Sequence, residues 1–122
     1  MERLTQPEED ALRVLWPLPD GGFVKEILEG LPAPRPPYTT LASTVRNLER
    51  KGYVRSEKLG NSYRFVPLIS ADEYQRRSLG TLVQQHFRNS YKELVSFFAQ
   101  DDKISAADLQ EIIQLIESKK PE

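Results

Sequence analysis

The segment between residues 39 and 51 combines short hydroxyl side chains with longer nitrogen donors, and a single acid, Glu49, interrupts them. Among its hydrogen-bonding and cationic side chains, the candidate contact residues are Thr39, Thr40, Ser43, Arg46, Asn47, Arg50 and Lys51. Hydroxyl and amide groups can hydrogen-bond base edges, and guanidinium and ammonium groups pair with phosphate oxygens. Because a carboxylate repels phosphate, this composition indicates contact with a polyanion such as DNA.

The other side of the same segment is apolar, which predicts an amphipathic helix over about 39–51. At about 100° per residue, Leu41, Val45 and Leu48 fall within about 60° of one another and would face a core. Gly52 follows as a favourable residue just beyond the end of the helix. An ordinary surface helix with a solvated polar face would give the same pattern. The neighbouring elements therefore decide between a helix that contacts DNA and a helix that contacts only water.

Two predicted helices precede this one. Thr5-Gln6-Pro7-Glu8 matches a capping box for the first helix. The apolar residues that recur on one face of this helix are Ala11, Leu12, Leu15 and Trp16. A turn at Pro19-Asp20-Gly21-Gly22 leads into the second helix, predicted from Phe23 to Leu31. Its inward residues would be Phe23, Ile27, Leu28 and Leu31.

The stretch LPAPRPP follows the second helix, and its four prolines predict a stiff extended connector because each fixes its φ angle. Pro34 and Pro37 also fit the PxxP pattern that SH3-like grooves bind. We favour a rigid spacer that directs the next helix.

After Gly52 the pattern becomes that of a β-hairpin over about 53–67. The stretches YVRSEKL and SYRFVPL are rich in aromatic and aliphatic residues, and Gly60-Asn61 between them is typical of a tight hairpin turn. The basic residues of this hairpin are Arg55, Lys58 and Arg64.

Positive charge is concentrated in the middle of the sequence. From Arg35 to Arg64 there are seven basic and two acidic side chains, a formal charge of +5. From Ala71 to the end there are seven basic and nine acidic side chains, a formal charge of −2, and the whole chain of 122 residues carries −1. A basic segment beside a mildly acidic one is typical of a nucleic-acid-binding domain attached to another region, although ordinary charge scatter gives the same averages.

The order of three helices and a hairpin predicts a winged helix-turn-helix domain over residues 1–69, in a fold that is mainly α with a small β-hairpin wing. The helix at about 39–51 would enter the major groove, and the wing at 53–67 would contact the backbone through Arg55, Lys58 and Arg64. The rival interpretation is a winged-helix module for protein–protein contacts. Such a module would tolerate acids on the 39–51 face and would show no salt-dependent DNA affinity.

Residues 70–122 are predicted to form a C-terminal helical dimerisation region. Capping patterns at Ser70-Ala71-Asp72-Glu73 and at Ser105 to Asp108, with a break around Arg88-Asn89-Ser90, divide it into short helices. About 50 residues bury too little apolar surface to be stable alone, so a second copy on a two-fold axis is the simplest partner. The predicted interface residues are Leu79, Leu82, Val83, Phe87, Tyr91, Leu94, Val95, Phe98, Leu109, Ile112, Ile113 and Ile116. The alternative is a monomer whose tail folds back on the winged domain.

The sequence does not suggest an enzyme. It has no cysteine, no glycine-rich phosphate loop and one histidine, His86, which falls in a predicted helix as a packing residue. The charged start MERLTQPEED is not a signal peptide, and no run of 18 apolar residues is present to span a membrane. We therefore expect a cytoplasmic, non-enzymatic protein without a metal or cofactor and without membrane insertion.

The segments LTQPEEDALRVLW, FVKEILEGL, YTTLASTVRNLERKGYV and GNSYRFVPLIS, in this order and with the helical tail, resemble the penicillinase-repressor family of bacterial transcription regulators. This family includes beta-lactamase, methicillin-resistance and copper-responsive repressors. The resemblance implies a homodimeric winged-helix repressor that binds palindromic operators in promoters, with intertwined C-terminal helices as its dimer interface. It also implies that Tyr38, Thr39, Thr40 and Arg46 occupy the leading part of the recognition helix.

Two switching mechanisms of that family can be compared with this sequence. Copper-responsive relatives use a C-terminal cysteine cluster, which a chain without cysteine cannot form. Antibiotic-responsive relatives are cleaved at an Asn-Phe bond by a membrane sensor protease, which is the further partner that the resemblance raises. The matching bond here is Phe97-Phe98. Phe98 matches, but Phe97 replaces the asparagine, which argues against recognition by this protease and leaves a regulatory protease as an open alternative. Both aromatics are interpreted as core or dimer-interface residues.

Overall fold

The computed structural model describes residues 2–119 and contains two compact units, Met1–Gln75 and Arg76–Glu122. We call them the winged unit and the tail unit. The division falls inside the helix Ala71–His86. The sequence-predicted boundary after residue 69 lies just before that helix begins.

The winged unit contains the predicted three helices and hairpin, together with one short strand that the sequence did not indicate. Its elements are α1 (Gln6–Leu15), β1 (Gly22–Phe23), α2 (Val24–Gly30), α3 (Tyr38–Arg50), β2 (Val54–Leu59) and β3 (Ser62–Pro67). The capping box at the start of α1 is confirmed, because the Glu8 amide donates to Thr5 Oγ1 at 3.3 Å and the Thr5 amide donates to Glu8 Oε1 at 2.8 Å.

The prediction that the second helix begins at Phe23 was wrong. Phe23 has an extended backbone and lies in β1, where Gly22 pairs with Phe65 and Phe23 pairs with Arg64. The backbone reaches β3 through Gly21, whose φ of +80° favours glycine and whose added Cβ would lie 2.2 Å from the carbonyl oxygen of Phe65. The helix therefore starts one residue later, at Val24.

The three strands form an antiparallel sheet in the order β1-β3-β2. Because residues directly opposite each other share a face, the register defines two sides of the hairpin. Ser56 pairs with Phe65 and Lys58 pairs with Tyr63 on one side, and the buried Phe65 shows that this side faces the core. Glu57 pairs with Arg64 on the other side, which we call the outer face of the wing.

A single apolar core holds α3 against the other helices. The predicted inward row of α3, Leu41, Val45 and Leu48, is at most 2% exposed. Its partners in the same cluster include Leu12 from α1 and Ile27 from α2. Burial of each such side chain contributes about 1.5–3 kcal/mol, so this row fixes which side of α3 turns outward.

The tail unit continues the helix α4 (Ala71–His86) and adds α5 (Tyr91–Gln100) and α6 (Ala106–Lys119). The predicted break after α4 is confirmed by positive φ angles of 52° at Arg88 and 62° at Asn89. Ser105 and Asp108 form the predicted capping box of α6, with reciprocal amide-to-side-chain hydrogen bonds of 3.0 and 3.1 Å. Within residues 2–119, no helix is long and apolar enough to cross a bilayer.

Candidate nucleic-acid interface

The outward side of α3 is polar and exposed along its length. The exposed residues from the predicted contact set are Tyr38, Thr39, Thr40, Ser43, Arg46, Asn47 and Arg50. They lie on the sides of α3 that the buried row of Leu41, Val45 and Leu48 leaves exposed. The geometry thus brings these seven residues onto one continuous surface of the winged unit.

Most polar groups on this surface are available for an external partner. The hydroxyls of Ser43 and Thr44 donate to the carbonyl oxygens one turn earlier, at 3.3 and 3.1 Å, as such side chains do in helices. The Arg46 and Asn47 side chains make no hydrogen bond or ion pair with any residue from 2 to 119. Arg50 lies 3.7 Å from Glu2, but both side chains are more than 60% exposed, so this pair holds the guanidinium weakly.

Lys51 is the predicted contact residue that turns away from this surface. Its Nζ lies 2.6 Å from Glu8 Oε1 and 3.0 Å from the Arg3 carbonyl oxygen, with 9% of the side chain exposed. Burial, the largest single influence, raises the pKa of Glu8, but the hydrogen bonds from Lys51 and Thr5 and the charge of Lys51 together outweigh it and leave this pKa lowered. Lys51 therefore ties the end of α3 to the start of α1, and we do not count it among the proposed DNA contacts.

Glu49, the one acid on α3, is engaged with the wing. Its Oε2 accepts a hydrogen bond of 2.5 Å from the Ser56 hydroxyl on β2. This contact turns the carboxylate towards the sheet and links α3 to the wing. The acid that interrupts the polar segment in sequence therefore has a structural partner.

The structure separates the three predicted bases of the wing. Lys58 pairs with Tyr63 near the hairpin turn, on the side of the sheet that carries Ser56. Arg55 and Arg64 instead lie with Glu57 on the outer face of the wing. The three predicted phosphate contacts are thus not brought together on one side of the hairpin.

A carboxylate holds both arginines of the outer face. Arg55 Nη1 lies 2.6 Å from Glu57 Oε1, and Arg64 Nη2 lies 2.7 Å from Glu57 Oε2. The hydrogen bonds from Arg64 first and Arg55 second lower the pKa of Glu57, and the bond to Glu57 raises the pKa of Arg64. Arg64 Nε is buried and has no hydrogen-bond partner among the described residues.

An open groove of about 1280 Å3 lies between the start of α2, one side of α3 and the wing. Lys25 and Tyr63, which were not among the predicted contact residues, line it together with Tyr38 and Arg46. The Lys25 side chain is exposed and makes no hydrogen bond or ion pair within residues 2–119. Periodicity could not have selected Lys25, because its place beside the wing depends on the pairing of β1 with β3.

The tail unit exposes the apolar residues that were predicted to form a dimer interface. Leu79, Tyr91 and Ile116 are 51%, 58% and 54% exposed. The other predicted residues that are exposed are Leu82, Val95, Phe98, Ile112 and Ile113, and those that are half-buried are Phe87, Leu94 and Leu109.

Val83 differs from the rest of this predicted set. It is fully buried, so it offers no surface to a second copy and acts as a packing residue of this chain. Leu115 is 55% exposed and was missed, because it lies at the edge of the apolar stripe of α6. Phe97 is also exposed and makes edge-to-face contacts with Phe87 and Phe98 at 5.8 and 5.7 Å.

Comparison with known proteins identifies the family. The sequence matches the family described as penicillinase repressor over residues 4–118, and no curated protein matches it at a significant level. Among residues 2–119, no group of three His, Cys, Asp or Glu side chains is arranged to hold a metal ion. The family match spans both the winged unit and the tail unit described above. This chain therefore belongs to the penicillinase repressor family.

Proposed function

We propose that this chain is a sequence-specific repressor that binds double-stranded DNA as a homodimer on a palindromic operator, in the bacterial cytoplasm. Membership of the penicillinase repressor family implies a DNA-binding transcriptional repressor rather than an enzyme. We infer the contacts, the dimer and the symmetry of the operator from the residues of the two units.

The observation that carries the proposal is the outward side of α3. It is exposed, rich in hydroxyl, amide and guanidinium groups, and its one carboxylate is bonded to Ser56. An α-helix fits the major groove, where base edges offer donors and acceptors that such side chains can read. A helix face that contacted only water would be expected to carry unpaired acidic side chains as well.

We assign different tasks to different parts of this surface. The short side chains of Thr39, Thr40 and Ser43 can approach the floor of the major groove closely. Asn47 has the reach and the geometry for base edges. Arg46 also lines the groove beside α3, and we assign it to the phosphate backbone. Arg50 lies in the last turn of α3, where a phosphate contact orients the helix without reading sequence.

The groove beside α3 suits the phosphate backbone next to the major groove. Lys25 and Arg46 provide cations there, and the hydroxyls of Tyr38 and Tyr63 provide neutral donors. Lys58, on the same side of the hairpin as Tyr63, extends the positive charge towards the wing tip. These contacts would position the protein on DNA and would contribute to affinity at every sequence.

The exposed apolar residues of the tail unit support a homodimer. Among its described residues, Val83 is the one fully buried apolar side chain, whereas the aliphatic face of α6 is about half exposed. Contiguous apolar surface of this kind marks an interaction site, and a second copy about a two-fold axis is the simplest partner. Two reading helices would then meet half-sites about 34 Å apart.

We do not propose that a protease regulates this chain by cleavage at Phe97-Phe98. Phe97 stands where the antibiotic-responsive relatives have asparagine, and its ring packs against Phe87 and Phe98. We assign it to aromatic packing of the tail unit, with an exposed edge available to a second copy.

DNA binding across a salt series tests the proposal. We expect nanomolar-to-micromolar binding to a selected duplex at low salt, with an affinity that falls steeply as salt rises because bound phosphates release counterions. An absence of binding at low salt, or an affinity independent of salt, would instead favour a protein-interaction module. Sedimentation tests the dimer separately, and a stable monomer at micromolar concentration would contradict it.

A further inference from the structure

Glu57 lies between two arginines on the outer face of the wing. Each of its carboxylate oxygens has its own guanidinium partner, Arg55 Nη1 at 2.6 Å and Arg64 Nη2 at 2.7 Å. We call these three residues the Glu57 clasp. Guanidinium groups bind phosphate oxygens with the same donors and similar geometry, so the carboxylate occupies the position that a phosphate would need.

The hairpin register fixes the clasp on one side of the wing. Glu57 lies directly opposite Arg64, and Arg55 precedes Glu57 by two residues and therefore shares its face. Lys58 and Tyr63 form the neighbouring pair and point to the other face, where the groove beside α3 lies. The register thus places two of the three wing bases on the face opposite the groove, and the clasp holds their guanidinium groups there.

The contacts within the clasp are accessible to solvent and to an incoming anion. The side chains of Arg55, Glu57 and Arg64 are 49%, 33% and 31% exposed. Partly exposed ion pairs of this kind exchange partners readily. A phosphate that approached would meet a cluster with a net charge of +1 instead of +2, and Glu57 would repel it.

We propose that Glu57 withholds Arg55 and Arg64 from DNA phosphates and so sets the sequence-independent part of the DNA affinity. This inference rests on the proposed DNA-binding function. Weaker backbone contacts lower the affinity for every sequence and leave the base contacts of α3 intact. The ratio of the affinity for the operator to the affinity for other sequences depends on the contacts that read bases. Glu57 therefore lowers binding to the many competing sites without weakening those contacts.

The test is the affinity of Glu57→Gln for a duplex of random sequence, measured with the full chain from 0.1 to 1 M salt. One phosphate contact changes the slope of log affinity against log salt by about 0.9, which is about eightfold in affinity over this range. We therefore expect Glu57→Gln to bind about eightfold more tightly at 0.1 M salt for each arginine that gains a phosphate. The slope should become steeper by about 0.9 for each such contact.

Two further variants separate the clasp from a general charge effect. Asp20→Asn also removes a carboxylate that interacts electrostatically with Arg64, but it breaks no hydrogen bond of the clasp. It should change the affinity by less than about twofold and leave the slope unchanged. Glu57→Asp keeps the charge and is one methylene shorter, so it cannot span both arginines and should show part of the gain.

The arginines themselves provide the decisive control. If released Arg55 and Arg64 cause the gain, changing both to Gln in the Glu57→Gln background should abolish it. A gain that persists in the triple variant, or wild-type affinity and slope in a folded Glu57→Gln protein, would overturn the inference. If the wild-type chain binds no DNA at any salt concentration, the proposed function itself fails.

Discussion

The buried pair of Glu8 and Lys51 allows a quantitative test of how α3 is held. Their side chains are 4% and 9% exposed, and the charged atoms lie 2.6 Å apart. Lys51→Met retains the length and apolar stem of the side chain but leaves the Glu8 carboxylate buried without its cation. Removing one partner of a buried ion pair typically costs about 3–5 kcal/mol, and we expect about 3 kcal/mol because Thr5 still donates to the carboxylate.

Urea unfolding followed by the fluorescence of Trp16 is a suitable assay, because this residue is the only tryptophan of the chain and lies in the winged unit. Protein concentration must be constant, since association of the tail unit would add to the apparent stability. Arg50→Met is the matched control. It removes the cation that precedes Lys51 in the sequence and that forms an exposed ion pair with Glu2. The free energy of unfolding should fall by less than about 1 kcal/mol.

The effect of Lys51→Met should also depend on pH in a defined direction. Because the folded-state pKa of Glu8 is below its ordinary value of 4.5, the charged carboxylate stabilises the fold above pH 4.5, and this contribution is lost as the pH falls through the lowered pKa. The difference in unfolding free energy between wild type and variant should therefore narrow as the pH falls towards and below 4.5. A difference under about 1 kcal/mol at pH 7, or one that is the same at pH 7 and pH 4, would refute the assignment of a stabilising buried pair.

Two further outcomes can be measured in the same assays. Lys25→Gln should weaken binding to all sequences alike and make the salt slope shallower by about 0.9, whereas Lys92→Gln in α5 should change neither. Equal effects of the two variants on DNA affinity would contradict the assignment of the groove to the phosphate backbone. Gly21→Ala should destabilise the winged unit by more than about 2 kcal/mol, because the new Cβ would lie 2.2 Å from the Phe65 carbonyl oxygen. Gly60→Ala, with no atom within 4 Å of its Cβ position, should cost about 1 kcal/mol, and a similar loss for both would contradict this reasoning.

Local sequence signals predicted the elements that periodicity and capping define. The inward row of α3 follows from apolar spacing alone, and Leu41, Val45 and Leu48 are all buried. The capping box of α1 at Thr5 and Glu8 is also confirmed. These features depend on residues within a few positions of one another, so a single sequence contains the information that defines them.

Contacts between distant parts of the chain were not predictable in this way. The strand β1 has two residues, which is too short for any periodic pattern, and it forms because Gly22 and Phe23 pair with β3. The partner of Lys51 lies 43 residues earlier in the sequence. The basic character of Lys51 predicted a DNA contact, but only the packing of α1 against α3 reveals that the ammonium is occupied.

The pairing of charges on the wing follows from the sequence alone. A two-residue turn at Gly60-Asn61 fixes the register of the hairpin, so the pairs from the turn outward place Glu57 opposite Arg64. Opposite charges in directly paired positions attract each other. The sequence therefore predicts Glu57 as an internal partner for the wing arginine Arg64.

Internal pairing also means that the positive charge offered to DNA is smaller than the formal charge of the segment. Lys51, Arg55 and Arg64 are bonded to carboxylates, and Arg35 donates to the carbonyl oxygens of Glu29 and Leu31. The cations that remain on the α3 side of the winged unit are Lys25, Arg46, Arg50 and Lys58.

This smaller set of cations gives the proposed dimer a numerical signature. Four phosphate contacts predict a slope of log affinity against log salt of about −3.6 for one winged unit, and two units on one operator predict about −7. One unit with so few contacts would hold DNA weakly at physiological salt, so useful affinity depends on a second copy bound to the same duplex. A slope near −7 together with sedimentation as a dimer would support this reasoning. Tight operator binding with a slope near −3.6 would contradict it, because a single winged unit would then be sufficient.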